Sequence, residues 1–258
     1  MSRILKLIRA EVEHKNRNHS VLCVGKPGTG KSWSMLRMGE ALDETFTVDS
    51  VIYDIEELLD KINSGEISKG QCVLLDEAGI IVSNRESYMN KYNKAMSHIL
   101  QTWRHRNIIL LVTVPNISYI DKGLRSMFDS LCITREVVKS RGVVKVDWKF
   151  IQTNYQMGKT YYHRAKSALR EVLNIEIGKP TLKIRRTYEK RKVEFTSELY
   201  EKLKGELKGE EIDTTEIDEM RRCKVCNNLG DYKRTKERWE CRKCPHIWPH
   251  SPIEVIEV

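Results

Sequence analysis

Gly25-Lys26-Pro27-Gly28-Thr29-Gly30-Lys31-Ser32 fits G-x-x-x-x-G-K-[ST] at every fixed position. The chemistry of such a stretch is anion capture. Its glycines let the backbone curl so that N–H groups face a phosphate, and a following helix N-terminus adds partial positive charge. Lys31 reaches the β- and γ-phosphates, and the Ser32 hydroxyl holds Mg²⁺. The apolar run Val21-Leu22-Cys23-Val24 precedes the loop and a helix-compatible segment, Ser34 to Leu42, follows it. That strand–loop–helix context separates a phosphate-binding loop from a chance Gly-rich turn. The expected ligand is a nucleoside triphosphate.

The second half of a hydrolytic site lies 45 residues beyond Lys31, where Val73-Leu74-Leu75 ends in Asp76-Glu77. The first acid of such a pair lies near the Mg²⁺ shell, and the second orients or deprotonates the attacking water. Asp76-Glu77-Ala78-Gly79 also satisfies the D-x-x-G of GTPases. No guanine-reading N-K-x-D follows, because Asn90-Lys91-Tyr92-Asn93 ends in the wrong residue. ATP is therefore expected. Thr113 and Asn116, at the end of Val112-Thr113-Val114-Pro115-Asn116, are candidate γ-phosphate sensors. The alternatives are an ordinary strand threonine and a turn asparagine.

Cys223-x-x-Cys226 and Cys241-x-x-Cys244 stand fourteen residues apart. Two such knuckles suit a tetrahedral Zn²⁺ ribbon, against disulfides in an oxidising compartment. His246 and His250 are alternative ligands, although four thiolates already close the site. From Arg221 to His250 there are nine Lys/Arg and three Asp/Glu, interleaved with Tyr232, Trp239 and Trp248. Such a segment contacts nucleic acid by phosphate pairing and base stacking, or docks on a protein. Cys23, Cys72 and Cys132 sit singly in or beside apolar runs and read as small buried hydrophobes.

Positioning these groups requires an α/β fold. Strands are expected at Val21–Gly25, Val51–Tyr53, Cys72–Leu75, Ile108–Val114 and Leu131–Val137. Helices are expected after Ser34, over Ile55 to Ile62, and from about Glu86 to Arg106. Apolar strands alternating with amphipathic helices indicate a mostly parallel sheet covered on both faces. The strand and helix between the two motifs suit the P-loop class with an additional strand and a catalytic glutamate. Gly142 to Asn154 alternates and is expected to hairpin with Thr160–His163. Met1 to Arg17 reads as an amphipathic surface helix. Residues 1–204 form the expected ATPase domain, 205–219 an acidic linker and 220–250 the zinc ribbon.

The net charge is +9 over 258 residues. It favours an anionic partner such as nucleic acid or an acidic membrane surface. The densest cationic run, Lys183 to Lys192, is a candidate DNA contact. The longest apolar run, Ile108 to Val114, falls far short of the ~20 residues a spanning helix needs. The cytosol is the expected location.

Trp103-Arg104-His105-Arg106-Asn107-Ile108, Leu111-Val112-Thr113-Val114-Pro115 and Ile120-Asp121-Lys122-Gly123-Leu124-Arg125 together resemble the FtsK–HerA superfamily of DNA-pumping ATPases. The small viral and plasmid members, including genome-packaging ATPases and Zot-like proteins, are nearest in flavour, and the similarity covers roughly Ser20 to Val138. It implies a ring, usually a hexamer, that moves duplex DNA, with an arginine of one subunit completing its neighbour's site. Arg104, Arg106 and Arg125 match the regions for that arginine; Arg104 and Arg106 read equally well as solubilising a helix end. Two departures stand out. The Thr113 strand lacks the family's usual sensor glutamine, and no membrane segment matches that of Zot proteins in filamentous phage assembly. The reading is a soluble oligomeric motor coupling ATP hydrolysis to DNA translocation or packaging. A replication-initiation or helicase-loader ATPase and a phage-assembly or secretion ATPase are the alternatives.

Overall fold

The computed structural model describes residues 2–77, 85–102, 106–167, 170–171, 175–209, 225–226, 230–233, 238–241, 244–245 and 247–249. The chain divides into two units, Met1–Leu199 and Tyr200–Val258.

In the first unit the elements run α1 (Ser2–Glu13), β1 (His19–Val24), α2 (Lys31–Leu42), β2 (Val51–Ile52), α3 (Ile55–Asn63), β3 (Cys72–Leu75) and α4 (Arg85–Thr102). They continue through β4 (Ile109–Val114), α5 (Lys122–Arg125), β5 (Ser130–Val138), β6 (Val143–Asn154), β7 (Lys159–Arg164), β8 (Lys166–Ser167), β9 (Arg170–Glu171) and β10 (Ile175–Gly178). The last helix, α6 (Leu182–Gly209), begins in this unit. One sheet carries the order β10-β6-β5-β1-β4-β3-β2, with β7 paired to β6. The β1–β5 block is parallel, while β6 runs antiparallel to β5, β7 and β10. β4 therefore lies between the strand before the phosphate loop and the strand ending in Asp76.

Side chains alternate across this sheet, and both faces are covered. Val21, Cys23, Cys72, Leu74, Ile109, Leu111 and Cys132 pack under α1, α2 and Tyr188 of α6. Leu22, Val24, Val73, Leu75, Leu110 and Val112 pack under α3, α4 and α5. Burial on both faces is why these strands read as unbroken apolar runs. The three lone cysteines are at most 1% exposed, in keeping with their reading as small hydrophobes. Ile4, Ile8 and Val12 form the buried stripe of α1, as its four-residue spacing predicts.

Local signals set the ends. Asp54 accepts the Glu56 N–H (3.1 Å) as the N-cap of α3, whose first turn carries Glu56 and Glu57 and whose last carries Lys61; each placement complements the helix dipole. The expected hairpin is β6–β7. Two features differ from the sequence expectation. The basic run Lys183 to Lys192 and the residues after it form one continuous helix, α6, so residues 205–209 of the expected acidic linker are helical; residues 210–219 lie outside the described residues. β10 adds an edge strand that the sequence reading did not expect.

In the second unit, β11 (Gly230–Lys233), β12 (Arg238–Cys241) and β13 (Ile247–Pro249) form an antiparallel three-stranded sheet. Among the described residues no helix is long and apolar enough to cross a membrane.

Candidate nucleotide site

The phosphate loop leaves β1 at Gly25 and enters α2 at Lys31. A Cβ on Gly25 would lie 2.0 Å from Thr134 Oγ1 and 2.8 Å from Thr29 Oγ1, so only glycine fits there. Gly30 has φ +88°, and a Cβ on it would lie 2.7 Å from Val144. Thr29 Oγ1 donates to Lys26 O (2.7 Å) and shares a hydrogen bond with Thr134 Oγ1 (2.7 Å), pinning the loop to β5. Lys31 Nζ donates to Gly25 O (2.9 Å) and Lys26 O (3.1 Å). Its ammonium is thus folded over the concavity that the loop encloses.

Asp76, fully buried at the end of β3, organises the other side. Its Oδ1 accepts Ser32 Oγ–H (2.8 Å) and Thr113 Oγ1–H (2.7 Å). Its Oδ2 accepts the Tyr188 hydroxyl (2.5 Å) and lies 3.4 Å from Lys192 Nζ. Glu77 sits at φ +55°, an uncommon conformation for a non-glycine residue. Its backbone N–H donates to Thr113 Oγ1 (2.8 Å). One threonine hydroxyl therefore fixes both acids: it donates to one carboxylate and accepts the next amide. Glu77 Oε1 accepts from Lys192 Nζ at 2.7 Å.

Gly28, Gly30, Lys31, Ser32, Glu77 and Thr113 line one cleft of about 520 Å³, together with Trp33, Tyr188 and Lys192. Its oxygen donors, the Ser32 hydroxyl beside the Asp76 carboxylate, are the hard ligands that Mg²⁺ takes. The loop and Lys31 supply the N–H donors that a polyphosphate takes.

The α6 wall was not legible in the sequence, where Lys183 to Lys192 read as a candidate DNA contact. Only part of that run is exposed: Lys183, Arg186 and Lys190. Arg185 lies over the Trp33 ring (5.7 Å), and Arg191 donates to Val48 O (2.7 Å) and Glu57 (3.3 Å). Lys192 faces the acids. Burial works against its charge, but Asp76 and Glu77 outweigh that and hold its pKa above the ordinary lysine value. Burial, then the neighbouring Asp76 charge, push the Tyr188 phenol far up, so it stays a donor. The one available signal was spacing, since Tyr188, Arg191, Lys192 and Phe195 share one helix face.

Other expected site residues lie elsewhere. Asn116 Oδ1 accepts the Ser118 N–H (3.0 Å) and caps a short 3₁₀ turn. Arg106 donates to Ile62 O (3.0 Å) near the end of α3, and Arg125 Nε to Ile120 O (2.6 Å). Neither arginine lines the cleft. Arg104 and Cys223 lie outside the described residues. In the second unit the Cys226, Cys241 and Cys244 sulfurs lie within 4.8 Å of one another. Cys226 Sγ is 3.4 Å from Cys241 Sγ and 3.6 Å from Cys244 Sγ. A tetrahedral site with Zn–S near 2.3 Å has sulfurs about 3.8 Å apart, so the cluster fits zinc.

Comparison with curated protein sequences yields no match. Among solved structures, the N-terminal domain of zonular occludens toxin from Neisseria meningitidis is 16% identical, with 59% of this chain and 96% of that one covered at a TM-score of 0.32. The DNA-packaging ATPase of Sulfolobus turreted icosahedral virus is 15% identical, with 59% and 100% covered at 0.33. PCH-2 of C. elegans is 20% identical at 0.35, with 51% of this chain but only 40% of that one covered. The family model for zonular occludens toxin (Zot) matches residues 34–190. That span is well over half of the sequence and carries the Asp76-Glu77 strand, Thr113 and the Tyr188 turn of α6; the chain belongs to the Zot family.

Proposed function

We propose that this protein hydrolyses ATP at the cleft between the phosphate loop and α6, and that it does so as a motor acting on DNA. The observation that carries the hydrolytic reading is the Thr113 bridge. It fixes Asp76 within hydrogen-bond reach of Ser32 and turns Glu77 into the same cleft as Lys31. The loop amides and Lys31 hold the triphosphate, and Ser32 and Asp76 hold Mg²⁺, which would neutralise charge between the phosphates. Glu77 takes the proton of the attacking water as its oxygen bonds to the γ-phosphorus and ADP leaves. Thr113 keeps the two acids in register.

The DNA reading rests on charge. Between Trp148 and Arg164 the β6–β7 ribbon carries Lys149, Lys159 and Arg164 and no acid. Tyr155, Tyr161 and Tyr162 are exposed along it. Exposed cations hold phosphates and exposed aromatics stack bases. Lys183, Arg186 and Lys190 add exposed cations on α6. The motor reading includes a ring, such as a hexamer, in which a neighbour's Arg104 or Arg106 completes the site. Cys223, Cys226, Cys241 and Cys244 bind Zn²⁺ in a ribbon at 220–250.

A second reading, a phage-assembly or secretion ATPase moving protein, draws on the Zot match over residues 34–190. A replication-initiation or helicase-loader ATPase would bind DNA as a switch. Steady-state ATP hydrolysis at low salt, with and without duplex DNA, tests the choice. The DNA-motor reading expects stimulation that fades as salt rises. Hydrolysis indifferent to DNA would favour the protein-moving reading. Stimulation without displacement of a roadblock protein from the duplex would favour the switch.

A further inference from the structure

Three lysines line the cleft, Lys31, Lys139 and Lys192, and the P-loop pattern accounts for the first. Lys192 reaches the cleft from α6, and every neighbouring anchor on that helix face is engaged. At the helix start, Glu40 of α2 accepts the Thr181 N–H (3.1 Å) and also its hydroxyl. Tyr188 is 3% exposed and bonded to Asp76. Arg191 is held by Val48 and Glu57. Phe195 stacks on Tyr53, with centroids 4.5 Å apart and planes 15° from parallel. The Tyr188, Arg191 and Phe195 contacts fall at i, i+3 and i+7 and, with that of Thr181, fix the helix against the fold, so the Lys192 ammonium is positioned by a rigid element.

Its partners do not need it for satisfaction. Asp76 already accepts from Ser32, Thr113 and Tyr188, and its contact with Lys192 is the longest of the four, at 3.4 Å. Glu77 is about one-third exposed and could be solvated without a cation. Of the three lysines in the cleft, Lys31 lies on the loop side and Lys192 is the one bonded to the acids. A triphosphate bound between loop and acids brings its γ-phosphoryl oxygens, the richest concentration of negative charge on the molecule, toward Lys192.

We propose that Lys192 is an in-cis catalytic residue that holds Glu77 before nucleotide binds and transfers its hydrogen bond to a γ-phosphoryl oxygen when ATP occupies the cleft. This rests on the hydrolytic reading of the site. The transfer has two effects. It frees the Glu77 carboxylate to accept the water proton, and it places a second cation where charge develops as the bond from the β–γ bridging oxygen to phosphorus breaks. It also makes the site sense the γ-phosphate: ADP has no group to draw Lys192 from Glu77.

The test compares the full-length wild type with Lys192→Met and Lys192→Arg. Two quantities are read, the ratio of ATP to ADP affinity and the single-turnover rate of bound ATP. In the wild type ATP is expected to bind more tightly than ADP. Lys192→Met is expected to bind ADP as the wild type does, which also reports that it is folded. It loses most of the ATP preference and slows turnover roughly 10²–10³-fold, toward the scale of a lost arginine finger. Lys192→Arg is expected to recover turnover to within about tenfold of the wild type. An unchanged ATP-to-ADP ratio with turnover within about threefold of wild type in Lys192→Met would overturn the proposal. So would equal weakening of ATP and ADP by both variants, the signature of a lysine that only steadies the fold. If the wild type binds ATP but hydrolyses none with or without DNA, the hydrolytic reading itself fails, and the role of Lys192 falls with it.

Discussion

The nucleotide cleft and the cysteine cluster are both built from residues far apart in sequence, but different forces hold them. In the cleft, Gly25, Asp76, Thr113 and Tyr188 are placed by an eight-stranded sheet buried on both faces. The polar network rides on a hydrophobic framework that exists without ligand. The cysteine unit has three strands of four, four and three described residues. Strands this short offer little apolar surface to offset chain entropy, and the zinc proposed for the four cysteines would supply what such a core does not. One site is positioned by its fold; under the zinc reading, the other positions its fold.

Removing zinc should break that contrast most visibly. A zinc-selective chelator, with Mg²⁺ kept in excess, is expected to unfold residues 220–250, because structural zinc contributes on the order of 10–16 kcal/mol in comparable peptides. Residues 1–199 should keep their fold and nucleotide affinity. Amide exchange with and without chelator reads both units at once; unchanged protection in the cysteine unit would refute the zinc assignment. Next in size, Gly25→Ala forces the loop away from Thr134. Overpacking of this kind costs about 1–3 kcal/mol of stability, so the melting temperature should fall by several degrees, and the displaced loop should also weaken ATP binding in a titration. Tyr188→Phe leaves Asp76 short of one buried donor, at about 1–3 kcal/mol. Loss of stability together with faster exchange in α6 is the expected pair of readouts.

The smallest effect should come from a polar tie on the framework's edge. Glu11 Oε2 pairs with His19 Nδ1 at 2.7 Å, and His19 Nε2 with Ser130 Oγ at 3.0 Å. The His19 hydrogen bond holds the Glu11 carboxyl below its ordinary pKa, against the opposing effect of burial. A depressed carboxyl pKa stabilises the fold above the unfolded value, near 4.3, and that stabilisation is lost as pH falls through the folded value. The Glu11 side chain is 36% exposed, so Glu11→Gln should cost at most ~1 kcal/mol at neutral pH. The difference from wild type should narrow in melts as the pH is taken progressively below the unfolded carboxyl value.

Legibility followed the same division of forces. Strands buried on both faces announced themselves as apolar runs, and Cys72–Leu75 emerged with the expected bounds. The phosphate loop was legible because phosphate capture constrains residue type at fixed spacing. Tyr188 and Lys192 were not, since a basic helix reads alike whether it faces DNA or a carboxylate. Their distance from Asp76 along the chain exceeds 110 residues, and only after the chain has laid down β6 and the edge strand β10 does α6 return over the cleft. Glu77's left-handed backbone was equally invisible, because no glycine marks it.

The hydrolytic cleft is tested most directly by single-turnover hydrolysis of bound ATP in wild type and Glu77→Gln. Glutamine keeps the size and position of Glu77 but cannot take the water's proton. The variant should bind ATP within a few-fold of wild type and hydrolyse it about 10²–10⁴-fold more slowly. Turnover retained in Glu77→Gln at the wild-type rate would contradict the account.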